Sequence, residues 1–549
     1  MMVSHHMVSS WAYLAIAAIF TWPLFPDLAL HLPIGSEPSA TVPLFNLWTL
    51  TWNANRIPEF FVGYWDAPIF YPHELAFGLS DPMPFTGLFF FLTTLATSNP
   101  FLSYNLCLLG ILVFNGIAAS HLCTTAGIER VPGIFAGALA VGLPWVNNEL
   151  GVLQLTVLFP VFFSLSALLR FLKCSTYRRA TNLAFWSAAT YLSSTYFGVY
   201  LSLFLIVSTA CLTTKKHVTI TTAKSAGLGA AVYLLLLLPV LTGQFESTTE
   251  YSRKNSVIAK SSAVPEHFLK LRSRLSNSDL LPWIDNKNFI DTSAVPQRLY
   301  PGTVLSLLAI IGLIAGLRKR SKRRLVVCFT IVVMLAFALS LGPHFNLLEF
   351  SPYNALRKLY PGFSQMRSPF RLAVFMQIGM VLLAGLALNH LWNLYKHAGR
   401  ILTVGIVTVG LIEVLPPAQH FSPDLNSIYT PWLVRVRDLP PGPVAYLPPS
   451  PSGSASDFQS IVVAMLQGLE FEKPLLNGYS GYFPSENREF RNKFRHPKIT
   501  DIDYLRERKT QYVLLDRNRA SKATHAMLAQ DEIVKLLFET ESISVYEFQ

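Results

Sequence analysis

Long apolar runs separated by short polar segments dominate the chain up to about residue 417. Runs of roughly 17–25 apolar residues are long enough to cross a bilayer as helices. The runs that we interpret in this way lie near residues 11–30, 101–123, 131–147, 152–172, 182–196, 198–213, 225–243, 301–317, 324–342, 369–394 and 400–417. The pattern therefore predicts a mainly α, polytopic membrane protein with about 11 transmembrane helices.

The two runs inside 182–213 are short, and polar residues from Ser193 to Thr195 together with Gly198 interrupt them. Non-helical backbone at membrane depth is tolerated where protein buries it or where it lines a cavity. We therefore predict a broken hairpin here rather than one long helix.

Basic clusters between the apolar runs set the orientation. They are Arg178-Arg179, Lys215-Lys216, the residues from 318 to 324, and Lys396 with Arg400. All fall on one side if the N-terminus is cytoplasmic, in keeping with the preference for cytoplasmic Lys and Arg. The extracytoplasmic parts are then 31–100, 244–300, 343–368 and the tail from 418. The first run lacks a clear small-residue cleavage site, so we interpret it as a retained span.

Two outer regions have their own structure. Phe45, Trp48 and Trp52 belong to an amphipathic pattern that predicts a helix suited to the membrane interface. The apolar stretch 87–95 is too short to span and is expected to lie flat or re-enter. In the tail, strands are predicted at 444–447, 512–515 and 543–546, with helices at 457–469 and 519–537. The domains are thus a transmembrane domain, 1–417, and an extracytoplasmic α/β domain, 418–549.

Composition supports lipid as one of the solvents. The chain is 51% hydrophobic and only 14% charged, with a mean hydropathy of +0.38, whereas soluble proteins carry about 25% charged residues. The net charge of +12 does not indicate nucleic-acid binding, because the basic residues form short clusters between apolar runs. The five cysteines have no CxxC or Cys/His metal spacing, which argues against a disulfide framework or a zinc site.

Carboxylates in the first outer segment are the candidate catalytic groups. Glu37, Asp66 and Asp81 lie among turn-forming or aromatic residues. A carboxylate held against aromatic rings becomes more basic, and it can deprotonate a hydroxyl or help to hold a divalent cation. Asp before proline also starts turns routinely, so each acid has a purely structural alternative.

Arginines at the outer mouth of a span are the candidate substrate-binding groups. Arg367 and Arg371 are four residues apart and lie on the side that positive residues usually avoid. Their planar guanidinium groups suit phosphate, and a spacing of four places both on one helical face. Arg253 and Arg298 are further candidates. Salt bridges to loop carboxylates are the alternative explanation for any single arginine.

Glu149 and Gln154 lie at the outer end of the fourth span. Polar groups at membrane depth often face a cavity, so both are candidate substrate-binding residues. Glu149 is equally compatible with a simple interfacial position.

These features together resemble the GT-C class of multi-spanning glycosyltransferases, most closely a bacterial, largely uncharacterised branch. The likeness covers nearly the whole chain and depends on the order of several short motifs. They are found at 46–48, 52–53, 65–72, 80–82, 103–106, 194–198, 299–302, 340–343, 361–371 and 477–481.

The resemblance implies a sugar donor carried on polyprenyl phosphate and an outward-facing active site whose catalytic acid is on the first outer loop. The acceptor would be a glycan, lipid or protein of the cell envelope, and the location would be the plasma (inner) membrane. Glu37 takes roughly the place of the expected first acid, and Asp81 resembles the acid of the later Ser-acid-Pro motif. Segment 31–100 lacks the Asp/Glu-x-Asp tripeptide of the class, which leaves metal use and the base open.

Two alternatives to a glycosyltransferase remain. A transporter or lipid-handling protein usually has paired broken helices, whereas here only one broken hairpin is predicted. A scaffold that keeps the GT-C fold without activity would explain the missing acidic tripeptide.

Overall fold

The computed structural model describes residues 2–214, 219–275, 297–394, 396–449, 456–529 and 533–549. Lys215 and Lys216 therefore lie outside the described residues, as does part of the predicted outer segment 244–300.

Helices form most of the described chain. The first eleven are α1 (Met2–Phe20), α2 (Thr41–Arg56), α3 (Pro84–Thr97), α4 (Pro100–Thr125), α5 (Arg130–Val141), α6 (Pro144–Asn148), α7 (Phe159–Lys173), α8 (Tyr177–Ser193), α9 (Thr195–Leu212), α10 (Ile220–Thr248) and α11 (Asn255–Lys260). The next are α12 (Thr303–Arg318), α13 (Arg323–Ser340), α14 (Pro352–Leu359), α15 (Ala373–Leu394), α16 (Lys396–Glu413), α17 (Leu425–Ile428), α18 (Trp432–Arg437), α19 (Gln459–Phe471), α20 (Ser485–Lys493), α21 (Ile502–Glu507) and α22 (Lys522–Ala529). The strands are β1 (Val444–Leu447), β2 (Tyr512–Asp516), β3 (Val534–Glu539) and β4 (Ile543–Phe548).

Six helical segments among the described residues are long and apolar enough to cross a membrane. They are Pro100–Thr125, Leu153–Lys173, Thr195–Leu212, Ile220–Thr248, Arg323–Ser340 and Pro369–Leu394. Shorter apolar helices cover Met7–Phe20, Pro84–Thr97 and Thr303–Arg318. The prediction of a mainly helical, multi-pass membrane protein is confirmed, while the count of eleven crossings stays a prediction.

The predicted broken hairpin is confirmed at a single residue. α8 ends at Ser193 and α9 begins at Thr195, and Ser194 between them has extended backbone with φ −155° and ψ 113°. Gly198 allows the two helices to approach closely, because a Cβ atom there would lie 2.5 Å from the Tyr191 Cα.

The described chain forms two compact units. The first comprises Met1–Pro26, Cys107–Pro239 and Ser252–Gln419. Its centre is α15, whose residues from Ala373 to Leu388 are all buried and which packs against α5, α12, α13 and α16. Small residues permit this packing: a Cβ atom at Gly312 of α12 would lie 1.8 Å from the Leu383 carbonyl oxygen.

One end of the first unit gathers basic segments that the sequence places in the cytoplasm. The Lys322 Nζ donates to the carbonyl oxygens of Ala126 and Gly127, at 2.5 and 3.3 Å. Burial and the charges of Lys319 and Lys173 lower the pKa of Lys322. The C-terminal ends of α4, α7 and α12 therefore lie beside the start of α13, so the other ends of α7, α12 and α13 point away from this basic end.

The second unit comprises Asp27–Leu106, Val240–Tyr251 and His420–Gln549. Its sheet has the strand order β1-β2-β4-β3, with β1 parallel to β2 and the remaining pairs antiparallel. This confirms an α/β tail. The early outer segment folds with the tail, since the Phe70 N–H donates to the Asn477 carbonyl at 3.0 Å and the Leu475 N–H to the Pro68 carbonyl at 3.0 Å.

Two predictions in this unit are wrong in part. The helix containing Trp48 and Trp52 forms as α2, but these side chains are only 1% and 5% exposed and the helix packs against α3 and α19, so it is a core element rather than an interfacial one. Among the described residues of 519–537, the predicted helix forms over α22. Residues from Val534 onwards instead make β3, because they pair with β4 in an antiparallel hairpin.

Candidate functional site

Arg371 is held between aromatic rings in the first unit. Its guanidinium carbon lies 4.3 Å from the ring centroid of Tyr196 and 6.0 Å from that of Phe370. Among the described residues its Nε has no hydrogen-bond partner. Aromatic faces attract a cation without using its N–H donors, so these ring contacts fix the guanidinium without consuming its hydrogen-bond donors.

Arg367 belongs to the same group. Its backbone N–H donates to the Tyr196 hydroxyl at 3.1 Å, and its side chain is exposed. Tyr196 is the second residue of α9, directly after the break at Ser194. The sequence predicted that Arg367 and Arg371 share one helical face, but Arg371 lies in a 3₁₀ turn, Pro369–Leu372, and Arg367 lies before it, beyond a non-helical Ser368 with φ −121° and ψ 85°. Tyr196 joins the two arginines instead.

Arg253 is connected to this group through α14. Arg357 Nη2 donates to the Arg253 carbonyl at 3.2 Å, and Arg357 Nη1 donates to the Asn255 side chain. At the start of the same helix, the Tyr353 hydroxyl donates to the Met366 carbonyl at 3.4 Å. The backbone of Arg253 is thus fixed to the segment that carries Arg367.

Trp145 connects the Arg371 group to Arg298. The ring centroids of Trp145 and Phe370 are 5.8 Å apart. The Trp145 backbone N–H donates to Gln377 Oε1 at 3.3 Å, and Gln377 Nε2 donates to the Leu299 carbonyl at 3.4 Å. Asn148 Nδ2 completes the connection by donating to the Arg298 carbonyl at 2.6 Å.

Glu149 and Gln154 flank the same buried segment. Glu149 is buried, and its carbonyl accepts the Val152 N–H at 2.8 Å. Gln154 is half-buried, and its Oε1 has no partner among the described residues. The indole Nε1 of Trp145 donates to the Leu155 carbonyl at 3.0 Å, which places Gln154 beside the tryptophan. The first unit therefore brings Arg298, Glu149 and Gln154 close to the residues around Arg371.

Arg272 is a basic residue that the sequence interpretation missed. It is buried, and its Nη1 donates to the Asn147 carbonyl at 3.2 Å. Burial and the nearby charge of Arg298 lower the pKa of Arg272 to about 10. In the sequence it belongs to a polar loop, Lys270 to Arg274, and that pattern contains no signal for burial.

The three candidate carboxylates belong to the second unit, where hydrogen bonds on both sides hold the turn at Asp81. On one side of it, the Leu79 carbonyl accepts the Tyr482 N–H at 3.2 Å. On the other, the Pro82 carbonyl accepts from Asn53 Nδ2 at 2.7 Å, and Asn53 is fully buried. Asp81 itself is half-buried. A carboxylate whose backbone is fixed on both sides is suited to a positioned proton transfer.

Asp66 and Glu37 have different surroundings. Asp66 is exposed, and its Oδ1 accepts the Leu75 N–H at 2.9 Å, as expected of a turn-forming Asp. Glu37 is half-buried and follows Ile34, whose N–H donates to the His420 carbonyl at 3.0 Å. Both roles stay predictions, but the local contact of Asp66 favours its structural alternative.

Within the described part of the chain, no group of three or more His, Cys, Asp and Glu side chains is arranged to hold a metal ion. Asp66 has a backbone partner, and the candidate acids do not form a cluster of that size. These residues do not fit a metal centre of the usual kind, so we derive no step through a metal.

A family model described as a domain of unknown function, DUF6311, matches residues 60–414. The chain belongs to the DUF6311 family. No curated protein sequence matches it. The matched region includes Asp66, Asp81 and every arginine discussed above.

Solved structures place this DUF6311 protein in a known fold. It resembles arabinofuranosyltransferase AftD from Mycobacteria, with a TM-score of 0.60 and 13% identity over 99% of this chain and 41% of that chain. It also resembles the oligosaccharyltransferase of Archaeoglobus fulgidus, with a TM-score of 0.50 and 11% identity over 96% of this chain and 69% of that chain. The chain thus spans less than half the length of AftD. The expected GT-C glycosyltransferase fold is confirmed.

Proposed function

We propose that this protein is a membrane glycosyltransferase that moves a sugar from a polyprenyl-phosphate donor to an extracytoplasmic acceptor. The fold that it shares with AftD and an oligosaccharyltransferase supports transfer of a sugar group. The observation that carries the proposal is the Arg371 guanidinium, which aromatic rings hold while its Nε keeps no partner among the described residues. Such a group is suited to a phosphate, which accepts charge-assisted hydrogen bonds.

The proposed topology has eleven crossings of the plasma (inner) membrane, with the N-terminus in the cytoplasm and residues 418–549 outside. The grouping of Lys173, Lys319 and Lys322 at one end of the first unit supports it, since Lys and Arg favour the cytoplasmic side. Arg367 and Arg371 belong to a segment that follows the far end of α13, and hence to the opposite, outer side.

The phosphate of the donor would bind to Arg371 and Arg367, with Arg253 and Arg298 adding positive charge around it. Tyr196 would position Arg371 through its ring and Arg367 through its hydroxyl. Gln154 and Glu149, in the segment beside Trp145, would form hydrogen bonds to hydroxyl groups of the donor's sugar. Replacing Arg371 should therefore lower the affinity of the protein for the polyprenyl-phosphate sugar.

The proposed reaction is an inverting displacement. The acceptor hydroxyl oxygen forms a bond to the anomeric carbon, and the bond from that carbon to the phosphate oxygen breaks. The hydroxyl proton passes to a carboxylate, and the leaving polyprenyl phosphate takes the bonding electrons and is stabilised by the arginines. Asp81 is our first candidate for this base because hydrogen bonds at Leu79 and Pro82 fix its turn. Glu37 is the second.

The experiment uses the full chain in lipid nanodiscs with synthetic polyprenyl-phosphate sugars. Release of polyprenyl phosphate, and transfer to envelope glycan fragments, would support the proposal. Binding of no such donor, together with no effect of Arg371→Ala, would overturn it. Flux of labelled substrate into proteoliposomes without sugar transfer would instead indicate the transporter.

A further inference from the structure

Two tyrosines form an aromatic pair beside the Asp81 turn of the second unit. The ring centroids of Tyr251 and Tyr482 are 5.0 Å apart, with 42° between the ring planes, and both side chains are half-buried. The Tyr482 N–H donates to the Leu79 carbonyl, two residues before Asp81. Close packing maintains this contact, because a Cβ atom at Gly481 would lie 2.7 Å from the Leu79 carbonyl oxygen.

Charged groups of both signs lie near Tyr251 of this pair. Burial and the carboxylates of Glu486 and Glu250 raise the pKa of Tyr251, while the guanidinium of Arg488 opposes that shift. Arg488 is fixed at one end, since its Nη2 donates to the Phe483 carbonyl at 3.0 Å. Acceptors and donors are thus both available around an aromatic surface.

A second arginine of α20 reinforces this edge. The Arg491 guanidinium lies 4.9 Å from the ring centroid of Phe458 and 5.1 Å from that of Phe483. The Phe458 and Phe483 rings stack on each other at 5.1 Å. The segment that carries Tyr482 and Phe483 is therefore held by aromatic and cationic contacts at Phe483.

Three classes of ligand can be compared at this surface. An anion such as the donor phosphate is disfavoured, because Glu250 and Glu486 add negative charge. A lipid tail is disfavoured because charged residues rim the aromatic pair. A sugar ring presents C–H groups on its face, which suit the negative face of an aromatic ring, and hydroxyl groups at its edge, which bond to carboxylate and guanidinium.

We propose that Tyr251 and Tyr482, with Glu486 and Arg488 at their rim, bind a sugar ring of the acceptor beside Asp81. This rests on the proposed glycosyl transfer and specifies its acceptor as a carbohydrate. Tyr482 supplies the stacking surface, and its backbone bond to Leu79 fixes the distance from that surface to the Asp81 turn.

Direct binding tests the inference without turnover. The full chain in nanodiscs is titrated with neutral methyl glycosides, a methyl uronide and short oligosaccharides. Saturation-transfer NMR measures the binding of each sugar. We expect Tyr482→Ala to weaken carbohydrate binding about 10-fold, on the scale of one aromatic contact, and Tyr482→Phe to retain most of the affinity because the ring remains. Tyr546→Phe on β4 is the matched control and should bind as the parent does.

The outcomes separate this inference from the proposed function. Equal sugar affinity of the parent and Tyr482→Ala overturns the acceptor site, even if polyprenyl-phosphate sugar is still consumed. A Tyr482-dependent sugar affinity without any use of the donor supports the sugar site and overturns the proposed transferase. Where transfer is measurable, a rise in acceptor KM that Tyr482→Phe largely reverses supports both. If Tyr482→Ala fails to fold, an unchanged affinity in Arg488→Gln and Glu486→Gln overturns the site.

Discussion

The guanidinium carbon of Arg371 lies 4.3 Å from the ring centroid of Tyr196. Tyr196 comes directly after the break between α8 and α9. The same tyrosine accepts the backbone N–H of Arg367 through its hydroxyl. The broken hairpin thus has a defined consequence: it places one aromatic side chain where it holds two arginine positions together.

Replacement of Arg371 is expected to weaken donor binding. Arg371→Ala removes a charge-assisted contact worth about 1.5–3 kcal/mol, so the Kd for a polyprenyl-phosphate sugar should rise about 10- to 100-fold. Arg371→Lys keeps the charge but not the planar fork, and should give an intermediate loss. Donor titration in nanodiscs measures both. An unchanged Kd in the alanine variant would contradict the phosphate role of Arg371.

Tests on the acids should separate chemistry from turn formation. Asp81→Asn keeps the size of the side chain but removes the base, so kcat should fall about 100-fold or more with little change in donor Kd. Asp66→Asn is the matched control, because an amide oxygen still accepts the Leu75 N–H. The kcat of Asp66→Asn is expected to stay within about twofold of the parent value, a small change beside the loss expected for Asp81→Asn. The reverse order, with Asp66→Asn the slower enzyme, would assign the base to Asp66, and a loss confined to Glu37→Gln would assign it to Glu37.

The fold and the site differed in how far the sequence predicted them. Long apolar runs predicted α4 and α13 well, since length and hydropathy suffice for a helix that crosses a bilayer. The apolar pattern could not show whether α2 packs against lipid or against protein, because Trp48 suits either environment. β3 was missed because a hairpin with β4 outweighs local preference. Burial of Arg272 depends on contacts with Asn147, which is far away in sequence.

Glu413 is predicted to stabilise the start of α12. Its buried carboxylate accepts the N–H groups of Thr303 and Val304, at 2.5 and 3.0 Å. These N–H groups have no partner within the helix itself. Glu413→Ala should lower the free energy of unfolding by about 2–3 kcal/mol, and Glu413→Gln by about 1 kcal/mol. Thermal unfolding in detergent measures this. The exposed Glu266→Ala is the control, and an equal effect of both alanine variants would contradict the capping role.

Arg272 is predicted to reduce the stability of the folded chain, because it holds a positive charge in the interior of the first unit. Its pKa is lowered to about 10 by burial and by Arg298, so at neutral pH the folded chain keeps a cation that is disfavoured there. Above about pH 10 the folded chain loses this proton while the unfolded chain still holds it, and stability contributed by this group therefore rises with pH in that range. Arg272→Met removes the buried charge and should raise the free energy of unfolding by about 1–4 kcal/mol at neutral pH. A lower Tm for Arg272→Met would show that the charge is compensated in the folded chain, and would end this explanation of Arg272.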